Sequence, residues 1–198
     1  MRDMDTAAEY VSCRAVVRRV LAGILGGEPA DVPLGRRPCP GCGSPEHGPP
    51  AVLAPKDGPM FSLSHSGGLG MLAVSGCPVG MDVEALRDVH VAELADAALT
   101  PVEREVVLGM EEPRRTRAFL RCWTRKEAVL KAVGVGLATS PSALETGADR
   151  PGPVEVTADI VPSAPVTWRV TDVPVPPGWV ASLALPAGAD EIIDVRQW

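Results

Sequence analysis

Phe119-Leu120-Arg121-Cys122-Trp123-Thr124-Arg125-Lys126-Glu127-Ala128-Val129-Leu130-Lys131-Ala132-Val133-Gly134 reads as most of one helix. Leu120, Trp123, Leu130 and Val133 recur at helical spacing and should pack inward, and Gly134 supplies a stop. Outward from it, the helix reaches back to Arg114. Before that stands Thr100-Pro101-Val102-Glu103, a capping-box pattern with proline at the first helical position, and a short helix candidate from Val91 to Leu99. Upstream, Met60–Leu63, Met71–Val74 and Val79–Val83 are short apolar runs split by Gly-rich and Cys-Pro breaks, which predicts a small antiparallel meander. Residues 28–58 are a loop dense in Pro and Gly. Residues 6–26 read as an amphipathic helix with Val11, Ala15, Leu21 and Leu25 on one side, Arg14 and Arg18 on another, and Gly26-Gly27 at its end. Beyond Pro151 the texture is strand-like at Val154–Val156, Val166–Val170, Trp179–Leu185 and Ile192–Val195. Helix, strands, helix, strands is an α+β order, and it suggests two similar lobes, residues 1–90 and 91–198.

Composition sets the outer limits. The 198 residues are 45% hydrophobic and 22% charged, enough for one sizeable core or two small lobes, and incompatible with a disordered tail or a collagen-like fibre. Net charge is −6, which argues against a general nucleic-acid binder, whose affinity rests on excess Lys and Arg. The longest window without Asp, Glu, Lys or Arg, Gly58 to Met81, holds Ser62, Ser64, His65, Ser66 and Ser75, so no membrane span is expected. Arg2, Asp3 and Asp5 open the chain and Arg18-Arg19 interrupt its first apolar stretch, so no targeting segment is expected and the cytoplasm is the expected location. Five cysteines make an odd set without disulfide-framework spacing. Cys39-Pro40-Gly41-Cys42, with His47 five residues on, is a lone CxxC; a structural zinc wants four ligands, and a plain turn is the simpler reading.

Three constellations carry chemistry. Phe61-Ser62-Leu63-Ser64-His65-Ser66-Gly67-Gly68 runs strand alternation into hydroxyls, an imidazole and two glycines, a turn that can receive an anion or simply reverse the chain. Gly80-Met81-Asp82-Val83-Glu84 puts two carboxylates on one face of a strand, an arrangement tolerable in full solvent or around a cation such as Mg²⁺. Glu127 and Lys131 share a helical face, which makes either an i,i+4 ion pair or part of a site. Only 3 of the 19 basic residues are lysines, and two of them, Lys126 and Lys131, lie in this helix, as phosphate handling would favour.

Together these motifs resemble the 4′-phosphopantetheinyl transferases of the larger, Sfp-like type. Phe61–Gly67 matches that family's F-[NS]-[IL]-S-H-S-G strand, Gly80–Glu84 its G-[IVM]-D-[IVL]-E strand, and Trp123–Lys131 its W-x-x-K-E-[AS]-x-x-K helix. The resemblance covers about residues 10 to 137 and implies a pseudo-twofold monomer with coenzyme A between two α+β lobes. It implies transfer of 4′-phosphopantetheine from coenzyme A to a serine of an apo acyl or peptidyl carrier protein, releasing 3′,5′-ADP. Asp82, Glu84 and Glu127 would hold Mg²⁺, with Glu127 as ligand, general base or both, and Asp82, Glu127 and Lys131 as the catalytic set. Arg14, Ser64, His65, Lys126 and Lys131 would contact coenzyme A. The chain departs from the family at Gly48-Pro49-Pro50, where relatives carry Gly-Lys/Arg-Pro. Two alternatives stand beside the transferase: a relative that binds coenzyme A or a carrier without efficient transfer, and a zinc-stabilised interaction module on Cys39 and Cys42. Carrier docking is expected near Val106, Val107 and Met110, where buried packing explains the residues equally well.

Overall fold

The computed structural model describes residues 2–136, 139–148, 150–189 and 193–196, and only the backbone of residues 2–10. Its centre is a four-stranded antiparallel sheet in the order β5-β8-β7-β6, formed by β5 (Gly80–Ala85), β6 (Val154–Thr157), β7 (Thr167–Asp172) and β8 (Trp179–Pro186). Helix α4 (Arg114–Val133) lies across it, packing on β5, β7 and β8. The alternate residues of β6 and β7, Val154, Val156, Trp168 and Val170, join Ala128, Val129, Leu130 and Val133 of α4 in one buried cluster. Gly134 closes α4 in the left-handed region at φ 88°, donating to Leu130 O at 3.0 Å. The chemistry is thus mixed α+β with antiparallel pairing throughout.

Helices α2 (Val91–Ala98) and α3 (Pro101–Leu108) follow the local signals closely. Thr100 Oγ1 accepts from Glu103 N at 3.2 Å and Glu103 Oε2 accepts from Thr100 N at 3.0 Å, so the capping box is reciprocal. Helix α1 (Arg2–Leu25) starts earlier than its apolar pattern predicts, and its buried face keeps Leu21 and Leu25 of that pattern but not Val11 and Ala15. Val17, Leu21 and Ala22 point inward, whereas Val11 is 65% exposed and Ala15 is exposed. Arg18 spans the end of this helix to Pro29 O and Val32 O, each at 3.0 Å.

Three further expectations are corrected. Residues 28–58 are not all loop: a 3-10 turn at Pro29–Asp31 leads into an antiparallel pair, β1 (Leu34–Arg36) and β2 (Pro50–Val52). The meander is only half present. Strands β3 (Met60–Ser66) and β4 (Leu69–Ser75) form a hairpin around Gly67 and Gly68, both at positive φ, but β5 leaves that pair to hydrogen-bond β8 instead. Residues Ile193–Val195 carry no strand, and Ile192 lies outside the described residues. Because β5 pairs with β8, a segment from the first of the two expected lobes is built into the sheet of the second. Among the described residues no helix is long and apolar enough to cross a membrane.

What joins the β3–β4 hairpin to β5 is a row of serines. Ser62, Ser64 and Ser66 alternate along β3 and face the edge of β5 that β8 leaves open. Ser62 Oγ accepts from Met81 N at 2.9 Å and Ser66 Oγ from Ala85 N at 3.1 Å. Hydroxyls therefore satisfy donors that a ladder would otherwise take.

Candidate active site

Asp82 lies at the middle of β5, opposite Ser182 of β8, and is 4% exposed. Its Oδ1 receives two donors, Ser64 Oγ at 2.8 Å and Lys131 Nζ at 2.6 Å. Lys131 also donates to Ser64 Oγ at 3.1 Å and to Met81 O at 3.2 Å. Its ammonium thus binds β5 to α4 rather than closing the i,i+4 pair with Glu127. That close approach depends on Gly80: a Cβ there would stand 1.8 Å from Ala128 O and 2.6 Å from Ala132 N, inside the backbone of α4.

Two carboxylate oxygens in this region are buried without a hydrogen-bond partner, Asp82 Oδ2 and Glu127 Oε1. Burial raises the Asp82 carboxyl above its ordinary range, against the opposing pull of Lys131. Burial also raises Glu127, helped by the negative charges of Asp82 and Glu84 and opposed by Lys131. Glu84, two residues along β5, keeps its Oε2 within 2.9 Å of Ser66 Oγ and 3.9 Å from Arg87 Nη2. Three acidic groups thus share one electrostatic neighbourhood, and two of them present orphaned oxygens there. Hard, acid oxygens left unsatisfied in a partly dry place suit a small divalent cation such as Mg²⁺. The three carboxylates do not converge on a point as they stand. Among the described residues, the trio whose ligand atoms all lie within 4.8 Å of one another is Cys39, Cys42 and His47 instead. Lys131 occupies Asp82 Oδ1.

A cavity of ≈ 480 Å³ opens beside this cluster, reaching from Lys131 and Gly134 at the end of α4 to α1, β1 and β3. Val17, Leu34, Phe61 and Leu63 give it apolar walls, and Arg14, Arg36 and Lys131 give it three cationic groups. Arg36 carries no clear sequence signal, because its strand is only three residues long inside a stretch that reads as loop. It is anchored by a 2.9 Å bond from Nη1 to Gly48 O, next to the Pro49 that departs from the family pattern.

The other expected site residues fall as follows. Arg14 lines the cavity. Ser64 is buried, with its hydroxyl committed to Asp82 and Lys131. His65 points away from the serine face, paired with Gly70, over which Cys13 of α1 lies. Lys126 is not in the cavity. It is fully buried, ion-paired with Glu103 and donating to Ala98 O at 2.7 Å, so it ties α4 to the α2–α3 junction. Val107 is likewise fully buried, and Val106 and Met110 pack half-buried against the same core. Arg125, which no sequence pattern singles out, is fully buried and holds Asp172 bidentately at 2.8 Å on both bonds.

Residues 78–184, just over half of the chain, match the model of the 4′-phosphopantetheinyl transferase superfamily. The chain belongs to that superfamily. The matched region holds β5 and α4, hence Asp82, Glu84, Glu127 and Lys131, while Arg14, Arg36, Ser64 and His65 lie outside it. Among similar proteins, the 4′-phosphopantetheinyl transferase HetI of a Nostoc species is 33% identical over 133 residues, 65% of this chain and 53% of that one. A 4′-phosphopantetheinyl transferase of Bacillus subtilis is 28% identical over 122 residues, 62% of this chain and 50% of that one. The transferase Sfp of Bacillus subtilis strain 168 is 29% identical over 92 residues, 46% of this chain and 40% of that one. The chain spans about half the length of these curated relatives or less.

Proposed function

We propose that this chain transfers 4′-phosphopantetheine from coenzyme A to a serine hydroxyl of an apo carrier protein, with Mg²⁺ at the acidic cluster. The observation that carries the reading is the pair of buried, unpartnered oxygens, Asp82 Oδ2 and Glu127 Oε1, at the Lys131 end of a cavity with three cationic groups. Asp82, Glu127 and Glu84 would hold the ion, which when bound would neutralise the coenzyme's diphosphate and favour departure of 3′,5′-ADP. In this reading the serine oxygen bonds to the phosphorus nearer the pantetheine while the bridging P–O bond breaks, and the hydroxyl proton passes to the Glu127 carboxylate. Lys131, held by Ser64 and Asp82, neutralises the diphosphate, and Arg14 and Arg36 face the remaining phosphate charge. Arg36 supplies a cation near the place where Pro49 lacks one. The two-lobed reading belongs to this proposal too: α1 with the β3–β4 hairpin on one side of the cavity, α4 with the four-stranded sheet on the other, and a monomer overall.

The test is incubation with coenzyme A, Mg²⁺ and an apo carrier protein, followed by mass spectrometry of the carrier. Modified serine, abolished by EDTA and lowered at least about a hundredfold in Asp82→Asn, supports the proposal. Coenzyme A binding without any modified serine would replace it with the binding-only reading.

A further inference from the structure

Outside the acidic site, one segment gathers three soft or borderline metal ligands within nine residues. Cys39 is buried beside Val129, Val133, Val135 and Val161, while Cys42 and His47 reach the surface. The backbone between them is folded into a tight knuckle: Gly43 N donates to Cys39 O at 2.7 Å with Gly43 at φ 76°, and Cys39 N donates to Ser44 O at 2.8 Å. The N–H groups of Gly41 and Cys42 are directed at the Cys39 sulfur. Cys42 Sγ stands 3.2 Å from His47 Nε2, and all three ligand atoms lie within 4.8 Å of one another. Zinc–sulfur and zinc–nitrogen bonds meeting at a tetrahedral angle separate their ligands by about 3.6–3.8 Å. Shifts of about an ångström or less at the two exposed residues would complete that geometry.

We propose that Cys39, Cys42 and His47 bind one Zn²⁺, with water in the fourth position, and that this site fixes a wall of the cavity. Two sulfurs and an imidazole select zinc over the hard cations that suit the acidic cluster. The wall follows directly from His47. Gly48 comes next and admits no side chain, since a Cβ would lie 1.6 Å from Arg37 O; its own carbonyl anchors Arg36. Pro49 then packs on Gly134, 3.0 Å from where a Cβ would stand, at the end of α4. Closing the 39–47 loop therefore holds His47, Arg36 and Pro49 in place around the cavity.

The test uses the whole chain, reduced, loaded with Zn²⁺ and desalted, with metal counted by elemental mass spectrometry, and a parallel sample loaded with Co²⁺. One zinc per chain and a sulfur-to-cobalt charge-transfer absorption are expected. Cys42→Ser and His47→Asn, both at exposed positions, should each weaken Co²⁺ binding by more than the ~10-fold that loss of an outer partner can cost. Asp82→Asn should leave the zinc content unchanged, which separates this site from the acidic one. Zinc well below one per chain, no charge-transfer absorption, or zinc content unaltered by Cys42→Ser would overturn the proposal, whatever the transfer assay shows.

Discussion

Lys126→Met is the sharpest way to separate a packing lysine from a ligand-binding one. The native ammonium is fully buried, pairs with an equally buried Glu103 and donates to Ala98 O. Removing it leaves the Glu103 carboxylate in place with three neutral donors, Thr146 N at 2.8 Å, Thr146 Oγ1 at 2.6 Å and Thr100 N at 3.0 Å. Those three bonds soften the loss but do not neutralise the charge, and stranding one partner of a buried pair costs about 3–5 kcal/mol. For a chain of this size each kcal/mol moves the midpoint by roughly 2–4 °C, so a fall of roughly 6–20 °C is expected. Urea titration of the wild type, Lys126→Met, Glu103→Gln and the double variant gives the coupling directly. The double variant should lose less than the sum of the singles, because it removes the stranded charge. Coenzyme A affinity of the folded fraction should be unchanged. A Lys126→Met protein within about 1 kcal/mol of the wild type, or one of normal stability with weakened coenzyme A binding, would refute the reasoning.

Other outcomes follow from the same contacts. Gly80→Ala drives a methyl into the backbone of α4, which overpacking alone makes worth about 1–3 kcal/mol or more; thermal melting should fall accordingly, and an unshifted melt would contradict the close approach. The Asp82 and Glu127 carboxyls are raised by burial, so the folded chain holds their protons more tightly than the unfolded one. Their contribution is unfavourable above the raised values and disappears as pH falls to the ordinary carboxylate range. Metal-free Asp82→Asn/Glu127→Gln should therefore melt above the wild type at neutral pH and lose that advantage in acid, which a pH series of melting curves reads. Burial first, and the Glu103 charge second, push the Cys122 thiol up to about 12; iodoacetamide at neutral pH should spare Cys122 and label exposed Cys42 in the metal-free chain, as peptide mapping would show.

Local signals were readable and distant partners were not. The Thr100–Glu103 capping box, the left-handed Gly134 and the Ser-Gly-Gly hairpin each occupy a few consecutive residues, and each folds as its pattern predicts. The β5–β8 pairing joins residues about a hundred positions apart, and neither strand carries a mark of the other, so the apolar runs predict a meander one strand longer than the hairpin that forms. Arg125 with Asp172 is invisible for the same reason. Lys126 is a different case, because its burial is legible in the sequence. Residues five apart on a helix point about 140° away from each other, so Lys126 and Lys131 could not both face one ligand. Lys126 also falls three and four positions from Trp123, Val129 and Leu130, on the apolar stripe, and there a lysine must find a buried partner.

The serine row on β3 explains why the acidic cluster can exist at all. A second strand in the usual ladder would have taken the amides of Met81 and Ala85 with carbonyls, placing no hydroxyl near the carboxylates. With serines at 62, 64 and 66 the same amides are satisfied, and two hydroxyls remain to donate to Asp82 and Glu84. Each carboxylate then has one oxygen steadied by a hydroxyl, while Lys131 is drawn to the Ser64–Asp82 corner. The arrangement holds two acids on one strand face and still leaves Asp82 Oδ2 unspent. The Ser64 hydroxyl is committed to Asp82 and Lys131, which places the motif's middle serine in the contact between β5 and α4 and its histidine on the other side of the strand.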